Sequence, residues 1–423
     1  MKRSTFKTAA VAAGTVALVA ALAACAPAAQ EPAAAPSGGE SDAPAAAAPA
    51  ETPEPDSFGV VVAESWKDIY PNEYQTYMAN ESNSPQGKQD YLTEYPELVT
   101  MYAGYGFAKG YDEAAGHPYS LQSVAETPRV NENTLANCIT CKTPQYTAMV
   151  NSEGDSAYQK PFAEVLMQMT EPISCYNCHE NDPTKTTVTQ KFFVNSMGSD
   201  VDKVSTDSQV CGQCHNEYLF PNENKSAENP WKGLAEATPE KVLAYENSIN
   251  YVDHTNPTNG TKQLKVQHPE FETMYGGDMA PMAKQGYSCS DCHMGTTKNA
   301  DGKEFDNHNW SSPLDNEELI ANDCSQCHAD IKAEVAAKQK VAIDRVNSIG
   351  NKLVTLNNKL SEIVANGSMG EDQLNKLRDL NRTAQFYWDW VMVENSDGAH
   401  NSALAQDTLN KSEAAVDQAL AQI

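Results

Sequence analysis

Basic residues are scarce in this chain of 423 residues: 30 Lys and Arg stand against 57 Asp and Glu, for a formal net charge of -27. That balance excludes nucleic acid and anionic membrane surfaces as charge-driven partners. Apolar side chains are also sparse. They make up 40% of the residues, and the mean hydropathy is -0.55, a lean core for a length that would ordinarily hold two or three domains. Either much of the chain is not globular or something besides side chains fills its interior. Convincing strand alternation is missing between Phe58 and Asp330, which speaks against a β architecture there.

Cysteine, by contrast, is plentiful and ordered. Ten of the 11 Cys fall into five C-x-x-C pairs, and Cys25 stands alone. The pairs are Cys138/Cys141, Cys175/Cys178, Cys211/Cys214, Cys289/Cys292 and Cys324/Cys327. Four are followed at once by His179, His215, His293 and His328, and C-x-x-C-H is the attachment signature of c-type haem. A single pair could be a redox disulfide or half a zinc site; four with the same trailing His read as a multihaem cytochrome c. The two Cys form thioethers and the His is the proximal iron ligand. The remaining pair reads CITCK and puts Lys142 in the proximal position. A Lys amine binds iron only when deprotonated, which a metal and a buried setting would favour.

The N-terminus carries Lys2, Arg3 and Lys7, then an apolar run from Ala10 to Ala24 that is too short to span a bilayer comfortably, then Leu22-Ala23-Ala24-Cys25. This reads as an export signal of the bacterial lipoprotein type over 1–24, with Cys25 as the lipid-bearing first residue of the mature chain. Residues 26 to 57 hold 12 Ala and seven Pro with no aromatic, so 25–57 reads as a tether. The segment 58–330 carries the five motifs on short helices and loops, with porphyrins contributing to the core. Residues 331–423 change texture to long helices. Val335, Ala342, Val346, Ile349, Leu353, Leu356, Leu360 and Ile363 keep the spacing of a coiled-coil seam over about 35 residues. Further helices are expected from about Glu371 to Val393 and over 402–421. The seam fits an intramolecular helical hairpin or a homodimer interface equally well. The fold class expected is therefore mostly α: a multihaem domain followed by long C-terminal helices.

Taken together, these residues resemble the pentahaem cytochrome c nitrite reductases that form ammonia, whose catalytic haem sits on CxxCK. The resemblance rests on the five motifs in order, on CHNEY (Cys214 to Tyr218), on KVQHPEFET (Lys265 to Thr273), on AGHPYSL and ETPR before the first motif, and on ENSDGAH near the C-terminus. It implies a distal pocket lined by Arg129, Tyr218 and His268. It implies a calcium ion held by Glu217, Gln267 and the carbonyls of Tyr218 and Lys265, an all-oxygen set suited to a hard cation. By motif position it gives His308 to the second haem, His117 to the third and His400 to the fourth. It also implies five c-type haems, nitrite as substrate, a membrane multihaem quinol dehydrogenase or another cytochrome as electron donor, a homodimer and an extracytoplasmic location.

The residue types suit that chemistry. An anion in an acidic protein needs local cationic donors, which a fixed guanidinium and a protonatable imidazole provide. Two rivals are a non-enzymatic multihaem conduit, which has no use for an open iron site, and a related reductase acting mainly on hydroxylamine or sulfite. The chain departs from the family at the fifth haem. The expected His falls 11 residues after the pocket His, and here that position is Met279. Met279 is the expected ligand, with Met282 second and His254 third; His254 otherwise reads as a surface-loop residue.

Overall fold

Residues 52–82, 89–113 and 116–423 are described in the computed structural model. The leader, Cys25 and most of the tether lie outside them. Three long helices, Ile331–Asn366, Glu371–Met392 and Ser402–Leu420, pack on one another as the periodicity requires. The first starts where the Asp330 side chain accepts the Ala333 N–H, and it stops at Gly367, whose left-handed backbone (φ 57°) closes the last turn. Asn401 caps the third helix by accepting from Leu404.

Within a single copy Ile349, Leu353, Leu356 and Leu360 have no exposed surface. The seam is filled by the other two long helices and by the short helix Glu97–Met101, while Val341 and Val364 of the same helix stay exposed. Gly350 has a packing role here. A Cβ at this position would meet Glu97 Cγ at 3.2 Å and the Trp388 ring at 3.4 Å, while Trp388 Nε1 donates to the Val346 carbonyl at 2.7 Å. The first helix thus presses against the indole at the one residue without a side chain.

Ahead of the bundle the elements are short. Among the described residues the strands form three two-stranded antiparallel pairs: Gln89–Asp90 with Asp112–Glu113, His254–Thr255 with Lys262–Gln263, and Thr296–Lys298 with Glu304–Asp306. Two attachment motifs are five-residue helices, Cys175–His179 and Cys289–His293. The motif itself supplies their caps. Ser288 N–H donates to Asp291 at 2.6 Å while Asp291 N–H donates back to Ser288 Oγ at 3.2 Å, and Ser174 N–H donates to Asn177 at 3.0 Å. The core between these elements is largely aromatic, with Tyr102, Tyr146, Phe193 and Phe271 all buried.

The second long helix joins the two regions through polar contacts. Gln385 donates to the Leu264 carbonyl at 2.9 Å, and Arg382 donates to the carbonyls of Lys262 and Tyr251 at 2.8 and 2.9 Å. Asp389 Oδ2 accepts from Tyr102 at 2.8 Å, Val266 N–H at 2.8 Å and Lys265 Nζ at 3.0 Å. The Lys265–Asp389 pair has no exposed side-chain surface, so its hydrogen bonds are what make burial of the two charges tolerable. These contacts fix the backbone immediately before His268.

Candidate active site

The CITCK motif does not form the five-residue helix seen in CYNCH and CSDCH. Cys138 sits in a short 3-10 turn, Ala136–Ile139, and Cys141 takes a left-handed backbone with φ 61°, a conformation uncommon for residues other than Gly. Lys142 therefore follows a left-handed residue, as none of the histidines of the other motifs does. Its backbone is anchored: Ser120 Oγ donates to the Lys142 carbonyl at 2.8 Å and accepts from Ile173 N–H at 3.1 Å.

Arg129 lies beside this motif. Its charge and that of Lys142 both act on the Cys138 sulfur. The guanidinium sits 4.4 Å above the Phe107 ring and 5.7 Å from Tyr111, and Nη1 is buried with no hydrogen-bond partner. Lys265 Nζ faces the same two rings at 5.5 and 5.0 Å. The pocket segment thus places two cations around an aromatic pair, one neutralised by Asp389 and the other, Arg129, with donor capacity to spare. His268 lies further along, its ring 6.1 Å from that of His215. Tyr218 packs edge-on against Phe220.

The histidines form pairs. Ring centres are 6.3 Å apart for His179 and His308, 6.1 Å for His215 and His117, and 6.1 Å for His293 and His400. Two imidazoles on opposite sides of one metal, each bonded at about 2 Å, hold their ring centres about 6 Å apart. In most of them Nδ1 is already engaged. His179 donates to the Lys185 carbonyl at 2.7 Å, His308 to Asp306 at 2.9 Å, His293 to Ser311 at 3.1 Å, His400 to Glu394 at 2.6 Å and His328 to Glu334 at 2.8 Å. Because these acceptors are carbonyls or carboxylates, each Nδ1 carries the proton and each Nε2 keeps its lone pair for a metal. The residues fit haem iron.

The attachment sulfurs are also neighbours in a definite order. Cys141 lies against Cys214 and Cys211 against Cys289, with Cys178 near Cys211 and Cys214 and with Cys292 near Cys324. The first site adjoins the third, the third adjoins the second and fourth, and the fourth adjoins the fifth.

Near the pocket a set of oxygens converges. Glu217 is buried, and its Oε2 accepts the Gln267 N–H at 2.6 Å. The Gln267 amide reaches the Lys265 carbonyl at 3.1 Å. Burial, and then the charge of Glu246, push Glu217 well above the usual carboxylate range. Glu246 is buried as well, with Oε2 lacking a partner. Glu272, pushed by burial to about 8, accepts from Glu217 N–H at 2.9 Å and Trp231 Nε1 at 2.6 Å. Two buried carboxylates together with a carbonyl and an amide side chain suit a hard divalent cation, which would relieve the repulsion between them.

Cys327 is exposed. The fifth motif forms only the 3-10 turn Cys324–Gln326 rather than a helix. Its neighbours Asp323, Ser325, Gln326 and Asp330 are polar and themselves exposed, so they bury no side of the turn and leave Cys327 at the surface while Cys324 is half-buried. Cys138 faces solvent in the same way, although Cys141 beside it packs against the core. His254 is not a surface-loop residue. It sits in a strand with its ring stacked on Tyr105 at 4.9 Å and its Nε2 2.9 Å from the Ala103 carbonyl, contacts that occupy the ring and leave it poorly suited to ligation. Met279 is half-buried against the core, in the turn before Pro281–Lys284. Phe107, Asp389 and Glu246 had no signal in the sequence, since each acts across a long stretch of chain, whereas Glu394 opens the ENSDGAH segment and acts on His400 within it.

The model for the Cytochrome c552 family matches residues 63–423. In sequence the chain is 30% identical, over 403 residues spanning 82% of this chain and 76% of the relative, to the cytochrome c nitrite reductase subunit NrfA of Nitratidesulfovibrio vulgaris. In structure it resembles the cytochrome c nitrite reductase of Desulfovibrio desulfuricans, a catalytic subunit (NrfA) described as having two calcium sites. The TM-score is 0.77 at 26% identity, over 86% of each chain.

Proposed function

The chain belongs to the cytochrome c552 family, and we propose that the haem on Cys138/Cys141, with Lys142 below it, is where it reduces nitrite to ammonium. It is an ammonia-forming oxidoreductase with five c-type haems and calcium. When bound, the haems supply an iron site for the substrate nitrogen and the electrons that take it from oxidation state +3 to -3, six in all.

The protein's own residues bind and protonate. Arg129 holds an anion: the observation that carries the reading is its buried guanidinium nitrogen without a partner, next to the motif whose proximal residue is Lys rather than His. Phe107 below it and the close approach of Gly106 keep the guanidinium in place. His268 and Tyr218 supply protons as oxygen is lost, and His268 steadies developing negative charge on oxygen. Calcium, held by Glu217, Gln267 and the carbonyls of Tyr218 and Lys265, ties the Tyr218 and His268 segments together.

Around this centre we assign His179/His308, His215/His117 and His293/His400 as axial pairs. Two rings lie 6.1 Å from His215, those of His117 and His268. Glu270 approaches His215 Nδ1 at 3.8 Å and also acts on His268. That argues for His268 on the Nδ1 side and for His117 on the ligating side. His328 with Met279 serves the fifth haem. The export signal, lipid on Cys25, an extracytoplasmic site of action, a multihaem quinol dehydrogenase or other cytochrome as donor, and pairing of two copies through the long-helix region 331–423 complete the reading.

The test is a reduced-dye assay on nitrite with ammonium quantified. Six electrons consumed per ammonium are expected. Electron uptake without ammonium, or a turnover confined to hydroxylamine or sulfite, would overturn the assignment.

A further inference from the structure

The axial histidines differ in what holds their outer nitrogens. At the second haem both partners are backbone carbonyls, Lys185 for His179 and Asp306 for His308. At the fourth, His293 also donates to a carbonyl, that of Ser311, but His400 donates to the Glu394 carboxylate at 2.6 Å. Glu394 is 3% exposed. Among the described residues no Lys or Arg pairs with it, and its second oxygen accepts the Ser396 hydroxyl at 2.5 Å, which in turn accepts His400 N–H at 2.9 Å. The other carboxylates next to axial histidines are weaker candidates. Glu270 stands 3.8 Å from His215, and Glu334 meets His328 where the two side chains are 42% and 31% exposed, so water screens that charge.

A carboxylate accepting from Nδ1 gives the imidazole anionic character and makes it a stronger donor. Stronger donation and a nearby buried negative charge favour the ferric over the ferrous state. Building on the assignment of His293/His400 as an axial pair, we infer that Glu394 is a positioning residue that lowers the reduction potential of the haem on Cys289/Cys292. That haem adjoins the third site through Cys211/Cys289 and the fifth through Cys292/Cys324. It is therefore a low-potential step between the fifth haem and the group around the catalytic centre, and it fills late.

The experiment is a spectropotentiometric titration of the holoenzyme, followed by low-temperature EPR. In Glu394→Gln, which keeps a hydrogen-bond acceptor and removes the charge, one low-spin haem moves to higher potential with its low-spin signal retained, and the other four stay. Ser396→Ala keeps the carboxylate and leaves all five potentials in place. His400→Met identifies the haem concerned. If it alters none of the five signals, the ligand assignment itself fails. If it alters one haem but Glu394→Gln leaves that haem's potential unchanged, the ligand stands and the tuning role falls. A shift of equal size in Ser396→Ala would assign the effect to loop geometry and also overturn it. Should Glu394→Gln not mature, the wild-type titration decides. The haem altered by His400→Met must take electrons below the one altered by His308→Met, and the reverse order refutes the inference.

Discussion

The motif region and the three long helices solve the same problem by different means. In the helices an apolar stripe at helical spacing meets its complement, and Leu353, Leu356 and Leu360 disappear from solvent with few special contacts. In the motif region the elements are too short to be held by stripes. Side-chain caps, buried amide networks and paired histidines hold the chain instead, and the prosthetic groups provide interior volume. Damage to the helices should therefore cost stability and spare chemistry, while damage in the motif region should do the opposite.

The sharpest way to break that comparison is Arg129→Ala. Turnover of nitrite should fall by about 10²–10³-fold, the scale of losing a placed charge-stabilising donor, with the optical spectra of the other four haems and the thermal midpoint unchanged. Lys142→His should likewise keep five attached haems and lose most activity. Loss of haem in either variant would show a structural role.

Leu356→Ala is the counterpart in the helices. Removing a fully buried Leu should cost about 2–5 kcal/mol, read as a lower chemical-denaturation midpoint, while turnover per folded molecule and all haem potentials stay as they are. A change in potentials would mean that the two regions are less separable than their architectures suggest.

Calcium removal comes next in size. Chelation should lower activity several-fold, and re-addition should restore it, because Glu217 and Glu246 then repel each other beside the pocket segments. Metal analysis finding no calcium in active protein would remove the site. At the fifth haem, Met279→His should lower one haem potential and abolish the weak near-infrared band of Met ligation, with little effect on turnover. A wild type lacking that band would refute Met279 as ligand.

The smallest effect concerns Asp397. Burial, and then Glu94 and Glu394, raise its carboxyl to about 6. The folded state thus holds a proton that the unfolded chain releases near pH 4, so the stability present at acid pH is lost as pH rises toward and through 6. Asp397→Asn cannot ionise, and Asn tolerates the left-handed backbone at this position (φ 53°). Its thermal midpoint should exceed wild type by about 1–2 °C at pH 8, with no gain at pH 4; an equal gain at both would point to backbone effects instead.

Much of this was legible in the residues, for definite reasons. Attachment motifs are local, so the five sites could be read directly, and the long helices followed from spacing. Periodicity cannot say which surface fills a stripe: within one copy the other long helices cover Ile349, Leu353, Leu356 and Leu360, while Val341 and Val364 of Ile331–Asn366 stay exposed. The residues that support the site were illegible because their contacts span the chain. Lys265 meets Asp389 across 124 positions, and Gln385 meets Leu264 across 121. His254 was misread because a polar neighbourhood looks like a loop, whereas Tyr105 stacks on its ring.

The Lys265–Asp389 pair also bears on the order of maturation. Asp389 follows all five attachment motifs in the chain. A polypeptide emerging from its N-terminus therefore presents every cysteine pair before it contains the carboxylate that pins Val266 and Lys265. Until then the segment leading to His268 lacks the hydrogen bonds by which that carboxylate holds it. The bundle works as a closing clamp, and truncation before Asp389 should give chains that accept haem on every motif yet never form a working pocket.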